Sequence, residues 1–269
     1  MNTIIIATGA VTVIGLLCAV ILSIASKVMT IAVDEREAQI REVLPGANCG
    51  ACGFAGCDGY AAALVGGDTK TNLCVPGGDA VSLEISGVLG VEFEDVTERI
   101  AIVRCGGARG VANEKMEYNG VKTCAAAKLL FGGASACAFG CIGYGDCEAV
   151  CPNGAICVDD GVARVNARLC TGCGLCAKTC PNKLIVTEPD TVAVVVACRN
   201  NEKGGAARKK CAHACIGCKK CERECPSGAI TVTDNLAQID YDKCTNCGHC
   251  VEACTVKCIE YTRKRAAVS

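Results

Sequence analysis

The spacing of its cysteines is the feature that most constrains what this chain can fold into. Two runs share the pattern Cys-x2-Cys-x2-Cys-x3-Cys, one from Cys215 to Cys225 and one from Cys244 to Cys254. In bacterial proteins with this pattern, three close thiolates bind one [4Fe–4S] cluster and the fourth binds the neighbouring cluster. A cluster needs four thiolates that converge from different directions, and the short x2 turns bring three of them from one loop. A chain that holds several such clusters is expected to carry electrons.

Composition narrows the alternatives to this chemistry. The chain has 269 residues and 27 cysteines, an odd number, whereas disulfide frameworks of this density are normally small secreted folds. Paired Cys-x2-Cys knuckles also bind zinc, but zinc does not require a run of three cysteines and a fourth before a proline. Iron–sulfur chemistry is therefore favoured, in a reducing compartment. Only 3% of the residues are aromatic and Trp is absent, so small domains that draw folding energy from their metal are expected.

The amino terminus is predicted to be a membrane anchor. Residues 4–26 carry no charge and are long enough to cross about 30 Å of hydrocarbon. A cleaved signal peptide is the alternative, but it would have a basic start and a shorter apolar core. The first positive charges are Lys27, Arg36 and Arg41, which places the rest of the chain in the cytoplasm by the positive-inside rule. Cys18, within the apolar run, is interpreted as a small apolar residue.

A third cysteine pattern, Cys-x2-Cys-x4-Cys-x16-Cys, follows the anchor and supplies four thiolates for one cluster: Cys49, Cys52, Cys57 and Cys74. Gly50, Gly53 and Gly56 allow the backbone to wrap closely around the cluster and to direct amide N–H groups at its sulfurs. A short Ala-rich helix is predicted over residues 58–65.

The segment Asn48-Cys49-Gly50-Ala51-Cys52-Gly53, taken with the anchor before it and the cysteine runs after it, resembles the B subunit of the Rnf complexes. These are membrane-bound ferredoxin:NAD oxidoreductases that pump ions. The resemblance covers essentially the whole chain. The short motif alone is less specific, because similar domains occur in corrinoid iron–sulfur proteins and in other soluble enzymes.

The cysteine-rich body contains an internal repeat with a fixed period. Seven cysteines of the first copy align without a gap with seven of the second: Cys141, Cys147, Cys151, Cys170, Cys173, Cys176 and Cys180 with Cys215, Cys221, Cys225, Cys244, Cys247, Cys250 and Cys254. Each copy is predicted to be a two-cluster ferredoxin-like module. In the second copy, strands are predicted over residues 229–232 and 237–240, with Asn235 in the turn between them.

The two copies differ at one predicted ligand. Tyr144 stands in the first repeat where Cys218 stands in the second. Cys137 is the expected substitute for the missing thiolate; the alternatives are a [3Fe–4S] cluster or an ordinary free thiol at that position. In the second repeat Thr255 replaces Pro181, which alters a turn without removing a ligand.

Twenty cysteines form five predicted ligand sets: Cys49, Cys52, Cys57, Cys74; Cys137, Cys141, Cys147, Cys180; Cys151, Cys170, Cys173, Cys176; Cys215, Cys218, Cys221, Cys254; and Cys225, Cys244, Cys247, Cys250. Cys105, Cys124, Cys198 and Cys211 are four further cysteines, for which a sixth cluster and buried free thiols are the two interpretations. Cys157 and Cys258 are interpreted as small core residues on strands.

The predicted fold class is α+β: one transmembrane helix, a small [4Fe–4S] domain and two tandem two-cluster ferredoxin-like modules. The expected boundaries are residues 1–33 for the anchor, 34–78 for the small domain, 79–135 for a connecting segment, 136–190 for the first module and 191–269 for the second with its basic tail. Glycine-rich segments at residues 87–90 and 106–110 lack the strand–turn–helix context of a dinucleotide site. No catalytic side chains are identified.

The Rnf resemblance implies an electron-transfer subunit that receives electrons from reduced ferredoxin and passes them to membrane and flavin-binding partner subunits of an ion pump. A subunit of a carbon monoxide or corrinoid enzyme, merely tethered to the membrane, is the alternative. A basic stretch with Lys203, Arg208, Lys209 and Lys210, followed by Lys219 and Lys220, is a candidate docking edge on the second module for an acidic ferredoxin. The alternative is that these charges offset the cluster charge or form a solvated loop. The coupling ion, Na⁺ or H⁺, does not follow from the sequence.

Overall fold

The computed structural model describes residues 2–28 and 34–262. Helix α1 runs over Asn2–Val28, about 40 Å at 1.5 Å per residue. Within it, Ile5–Ser26 is apolar enough to cross a membrane, with a mean hydropathy of 2.7, and none of its described side chains is buried. The expected basic tail at residues 263–269 lies outside the described residues.

Three helices build the small domain after the anchor. They are α2 (Glu35–Val43), α3 (Cys57–Gly66) and α4 (Gly78–Leu89), with two short 3₁₀ turns, Thr71–Leu73 and Val75–Gly77, before α4. The helix predicted over residues 58–65 is confirmed by α3, and helix α4 lies beyond residue 78, where the domain was expected to end.

The core of the small domain is built around three side chains, Ile40, Tyr60 and Ile85, each 1% exposed or less. The Tyr60 hydroxyl donates to Lys70 O at 2.7 Å and accepts from Leu73 N at 3.2 Å. Through these bonds Tyr60 fixes the chain that leads to Cys74.

The first repeat contains two antiparallel strand pairs. Strand β1 (Arg99–Val103) pairs with β4 (Ile185–Pro189), and β2 (Ile156–Asp159) forms a hairpin with β3 (Val162–Val165). Three short helices complete it: α5 (Cys124–Leu129), α6 (Asp146–Ala149) and α7 (Leu175–Thr179). The segment expected to be a connection therefore supplies both a strand and a helix of this unit.

The second repeat has the same plan. Strand β5 (Val194–Val196) pairs with β8 (Ile259–Tyr261), and β6 (Ile230–Thr233) forms a hairpin with β7 (Leu236–Ile239). Helices α8 (Gly204–Lys210), α9 (Lys220–Arg223) and α10 (His249–Ala253) complete it.

The hairpin of β6 and β7 confirms the strands and the turn that the sequence predicts for the second repeat. Asp234 and Asn235 both have positive φ, 49° and 61°, as a two-residue hairpin turn matched to the strand twist requires.

Backbone hydrogen bonds join the two repeats. Gly106 N donates to Ala197 O at 2.9 Å, and Asn113 N donates to Lys210 O at 2.8 Å. Ala212 N in turn donates to Val111 O at 2.9 Å. The segment after β1 is therefore the contact between the repeats, and it carries Cys105 towards the second repeat.

Candidate iron–sulfur centres

In the small domain, the structure brings together Cys49, Cys52, Cys57 and Cys74. Burial, with repulsion from the other three cysteines as a smaller cause, raises the pKa of Cys74 to about 11. A thiol with this pKa stays neutral unless a cation lies beside it, so iron is the partner that would ionise it.

The loop that carries the first cysteines has a backbone that few residue types can follow. Asn48, Gly50 and Gly53 have φ of 46°, 65° and 90°. The Asn48 side chain accepts from Cys57 N at 2.9 Å, and a Cβ on Gly56 would lie only 3.0 Å from that same oxygen. The glycine therefore leaves room for the bond that connects the loop to the start of α3.

The second repeat holds two groups of four cysteines. Burial raises the pKa of Cys221 to about 11, and the nearby thiols of Cys215, Cys218 and Cys254 contribute to the shift. Burial likewise raises the pKa of Cys250 to about 11, and the nearby thiols that contribute there are Cys244, Cys247 and Cys225. These are the two ligand sets expected for this repeat.

Cys258 lies against the first of these groups. It is 2% exposed, and its sulfur is 3.6 Å from that of Cys254. Hydrogen bonding with Cys258 lowers the pKa of Cys254 to about 5 and also lowers the pKa of Cys215. Cys258 is thus a buried core residue, as expected, and its single S–H is shared between two predicted ligands. Cys157 is also interpreted from the sequence as a core residue. Cys157 is exposed on β2, so that interpretation is wrong.

One group in the first repeat matches expectation. Burial raises the pKa of Cys176 to about 11, and the nearby thiols of Cys170, Cys173 and Cys151 contribute to the shift. Backbone amides donate to two of these sulfurs: Ala155 N to Cys151 Sγ at 3.3 Å, and Ala101 N to Cys170 Sγ at 3.4 Å. Amide donors of this kind are a feature of thiolates that hold iron–sulfur clusters.

The other group in the first repeat differs from expectation. Burial raises the pKa of Cys147 to about 12, and the nearby thiols that contribute to the shift are Cys141, Cys124 and Cys180. One cavity is lined by these same four cysteines. The structure therefore places Cys124, rather than the expected Cys137, beside the other three.

A carboxylate explains this position of Cys124. Asp146 begins α6, one residue before Cys147, and its two oxygens accept from Cys124 N at 2.8 Å and Ala125 N at 2.9 Å. The first turn of α5 is thereby held against α6. Tyr144, at the position without a thiol, packs instead against Tyr118 in a tilted arrangement with ring centroids 5.6 Å apart. Sequence spacing did not reveal that Cys124 joins Cys147, because Cys124 lies well before the loop and the hydrogen bonds from Asp146 that hold it there leave no mark in the cysteine pattern.

Cys137 lies with the remaining cysteines. One cavity is lined by Cys105, Cys137, Cys198 and Cys211, so Cys137 takes the place expected for Cys124 in that set. Burial raises the pKa of Cys198 and of Cys211, and Cys137 contributes to both shifts.

The small domain is adjacent to the first repeat. Lys178 of α7 donates to Cys49 O at 2.5 Å, and Gly50 lets the ammonium group approach, because a Cβ there would lie 3.0 Å from its nitrogen. Burial raises the pKa of Cys173, and the proximity of Cys49 adds to the shift. The Cys49 and Cys173 groups therefore lie next to each other.

The donor sets fit [4Fe–4S] clusters. Each is four thiols from at least two segments of the chain, most of them buried or partly buried, and in the first repeat backbone amides are directed at the sulfurs of Cys151, Cys170 and Cys180. Loaded with clusters, these residues would hold redox centres whose potentials respond to burial and to hydrogen bonds on sulfur.

Comparison with known families agrees with this chemistry. The family described as a putative Fe-S cluster matches residues 44–76, and 4Fe-4S dicluster domains match residues 169–229 and 214–258. Cys105, Cys124 and Cys137 lie outside all three matched ranges, so their grouping comes from the structure.

Comparison with curated proteins finds relatives over nearly the full length. The B subunit of the Na(+)-translocating ferredoxin:NAD(+) oxidoreductase complex of Acetobacterium woodii is 40% identical, over 100% of this chain and 82% of the relative. The B subunit of the proton-translocating ferredoxin:NAD(+) oxidoreductase complex of Clostridium ljungdahlii is 43% identical, over 96% and 91%. The B subunit of the ion-translocating oxidoreductase complex of Methanosarcina acetivorans is 42% identical, over 92% and 94%.

The position of Cys124 predicts the effect of removing it. We expect Cys124→Ala to cost the purified protein about four irons, or about one if a three-iron cluster remains, because a [4Fe–4S] cluster would lose its fourth thiolate. Iron analysis and electron paramagnetic resonance of the oxidised protein measure both outcomes. Cys157→Ala, on an exposed strand position of the same repeat, is the control and should keep all its iron. Unchanged iron and spectra in Cys124→Ala would remove Cys124 from the ligand set.

Proposed function

This chain belongs to the family of the B subunits of the ion-translocating ferredoxin:NAD oxidoreductase (Rnf) complexes, and from that premise we propose how it carries electrons. It is an electron-transfer component of an oxidoreductase that translocates ions, with 4Fe-4S domains. The proposal concerns its orientation, its ligands and the order of its centres.

Orientation follows from α1 and the charges after it. The uncharged span Ile5–Ser26 of α1 anchors the chain, and the cysteine-rich body lies in the cytoplasm, since Lys27, Arg36 and Arg41 follow this span. A cytoplasmic body also agrees with free thiols that need a reducing compartment.

Membrane vesicles test this orientation. Inverted vesicles, whose cytoplasmic face is outward, should show bleaching of the cluster absorbance when reduced ferredoxin is added. Sealed right-side-out vesicles should show none until detergent opens them. Bleaching of the sealed right-side-out vesicles would place the body on the other side.

Each repeat serves as a two-cluster module. The proposed ligand sets are those of the sequence with one change, in which Cys124 joins Cys141, Cys147 and Cys180. The chemistry is outer-sphere electron transfer, for which the bound clusters supply the one-electron redox steps. The chain's own residues hold the centres at short separations and set their potentials, through amide and thiol hydrogen bonds such as those from Ala155 N and Cys258.

Electrons enter through the second repeat and leave through the small domain. Cys218 and Cys247, one from each group of the second repeat, are exposed and lie nearest the solvent. At the other end, the Cys49 group follows the anchor in sequence and lies beside the Cys173 group of the first repeat. The observation that carries this order of centres is the contact of Lys178 with Cys49 O, which makes the small domain the continuation of the first repeat.

Removal of the small domain's centre tests the route. In inverted vesicles, Cys49→Ala should still allow ferredoxin to reduce the centres of the two repeats, because those ligands are untouched. NAD reduction by the complex should fall to background, since electrons cannot reach the membrane partners. Cys157→Ala should leave both steps at the parent rate. NAD reduction retained in Cys49→Ala, with about four irons lost, would show that electrons leave the chain elsewhere.

Ferredoxin is proposed to dock near α8 and α9. Arg208 and Lys209 are exposed in the last turn of α8, and Lys219 and Lys220 are exposed at the start of α9, next to Cys218. Lys210 and Lys219 are less available, because Lys210 pairs with Glu202 and Lys219 pairs with Glu222 at 3.8 Å. A positive edge beside the exposed ligands would steer an acidic partner towards them.

Charge reversal on this edge tests the docking site. Arg208→Glu with Lys209→Glu should slow reduction by ferredoxin about tenfold at low salt, with unchanged iron content. The difference should shrink as salt rises, since charges are screened beyond about 8 Å at 0.15 M ionic strength. Lys122→Glu, an exposed position in the first repeat, is the matched control and should react like the parent. Stopped-flow absorbance measures the rates, and a slowing found only in Lys122→Glu would move docking to the first repeat.

A further inference from the structure

Apart from Cys157 and Cys258, four cysteines of the two repeats remain outside the five ligand sets described above. Cys137, Cys198 and Cys211 are buried, with 9%, 7% and 7% exposure, and Cys105 is partly buried. All four line one cavity at the contact between the repeats. Buried thiols without a role are normally dispersed through a core, whereas these converge on one space.

Each repeat contributes an equivalent pair to this cavity. Arg104 N donates to Leu184 O at 2.8 Å at the end of the β1–β4 pair, and Ala197 N donates to Cys258 O at 2.7 Å at the end of the β5–β8 pair. Cys105 and Cys198 follow those two donors directly. They are therefore structural equivalents, although they do not align when the two copies are compared at the period of the repeat.

The other two cysteines are equivalents in sequence. Cys137 and Cys211 are separated by one period of the repeat, as Cys141 and Cys215 are. The cavity is thus lined by the same two positions from each copy, an arrangement with approximate two-fold symmetry.

Hydrogen bonds to sulfur follow the same symmetry. Cys141 N donates to Cys105 Sγ at 3.4 Å, and its equivalent Cys215 N donates to Cys198 Sγ at 3.3 Å. Asn200 N also donates to Cys198 Sγ, at 3.4 Å, and Asn200 Nδ2 lies 3.6 Å from Cys137 Sγ. Asn200 is 1% exposed, and its side chain is also bonded to Glu202, whose N donates to Asn200 Oδ1 at 2.8 Å, so the orientation of this buried amide beside the sulfur is fixed.

Backbone contacts between the repeats hold the sulfurs close. A Cβ on Gly107 would lie 3.5 Å from Cys211 Sγ and 3.6 Å from Cys105 Sγ, so the two sulfurs are separated by at most the sum of these distances. Ala112 forms a β-bridge with Cys211, and Ala136 N donates to Asn113 O at 2.8 Å, which fixes Cys137 nearby. The four thiols are therefore positioned by the fold and not by chance side-chain rotation.

We propose that Cys105, Cys137, Cys198 and Cys211 bind a sixth [4Fe–4S] cluster, which connects the two repeats. A zinc ion also accepts four thiolates. Iron–sulfur ligation is favoured by place: the two amides that donate to Cys105 and Cys198 belong to Cys141 and Cys215, which are themselves ligands of the neighbouring centres. A redox centre at this position lies between the centres of Cys141 and Cys215, whereas a zinc ion, which has no redox chemistry, would interrupt electron transfer between them.

The site completes the electron route, and this part of the inference rests on the proposed function. A single electron would pass from the Cys215 centre to this one and on to the Cys141 centre, with no bond formed and no proton transferred. Electrons would then pass from the second repeat, across the contact between the repeats, to the first repeat and finally to the small domain.

Iron content tests the site in the purified, anaerobically reconstituted full chain. Six clusters require about 24 irons and as many sulfides, against about 20 for five. The double variant Cys198→Ala/Cys211→Ala should lose about four irons relative to the parent, and Cys157→Ala should lose none. A parent with about 20 irons would overturn the proposal, with or without one zinc by metal analysis. The parent's own count needs no variant, so it decides the question even if the double variant misfolds.

A kinetic readout separates this site from the proposed route. When ferredoxin is mixed with the parent, the fast phase of bleaching should include all six centres. In the double variant it should include only the two of the second repeat, with the others filling at least tenfold more slowly. An equal fast phase in both proteins would contradict the connecting role. Failure of ferredoxin to reduce the parent would contradict the proposed route and leave the iron count standing.

Discussion

This chain buries cysteine sulfur where most domains of its size bury aliphatic and aromatic side chains. Three of its hydrophobic clusters contain cysteines that belong to the candidate centres. Burial raises the pKa of Cys105 and Cys147 to about 12, so neither is an anion in the absence of metal. Iron binding must therefore release protons and stabilise the folded chain in one step, which makes cluster assembly and folding inseparable.

The duplicated unit solves the problem of distance between centres. A two-cluster module alone brings its own centres together through Cys runs whose fourth cysteine crosses to the neighbouring centre. Two such modules still need a contact between them. Here the segment after β1 supplies it, because Gly106 pairs with Ala197 and Asn113 pairs with Lys210 O.

Local patterns in the sequence predicted local structure well. The hairpin of β6 and β7, helix α3 and the convergence of the Cys-x2-Cys runs all depend on residues close in the chain. The exchange of Cys124 and Cys137 does not, because Asp146 positions Cys124 through two backbone amides that lie far from it in the sequence. Likewise Cys105 and Cys198 are equivalent through strand pairing, and an insertion after β1 hides this from a search at a fixed period.

The apolar span of α1 and the cysteine-rich body carry different chemistry. Residues 5–26 of α1 contain no ionisable side chain other than Cys18, and the hydroxyls of Thr12 and Ser23 donate to carbonyls of their own helix. Backbone and side-chain polar groups that are satisfied within one helix are what a hydrocarbon environment requires. The thiols of the body instead lie in loops whose backbone amides point at sulfur, as Ala155 N does at Cys151, so the redox chemistry that we propose belongs to the segment after the span.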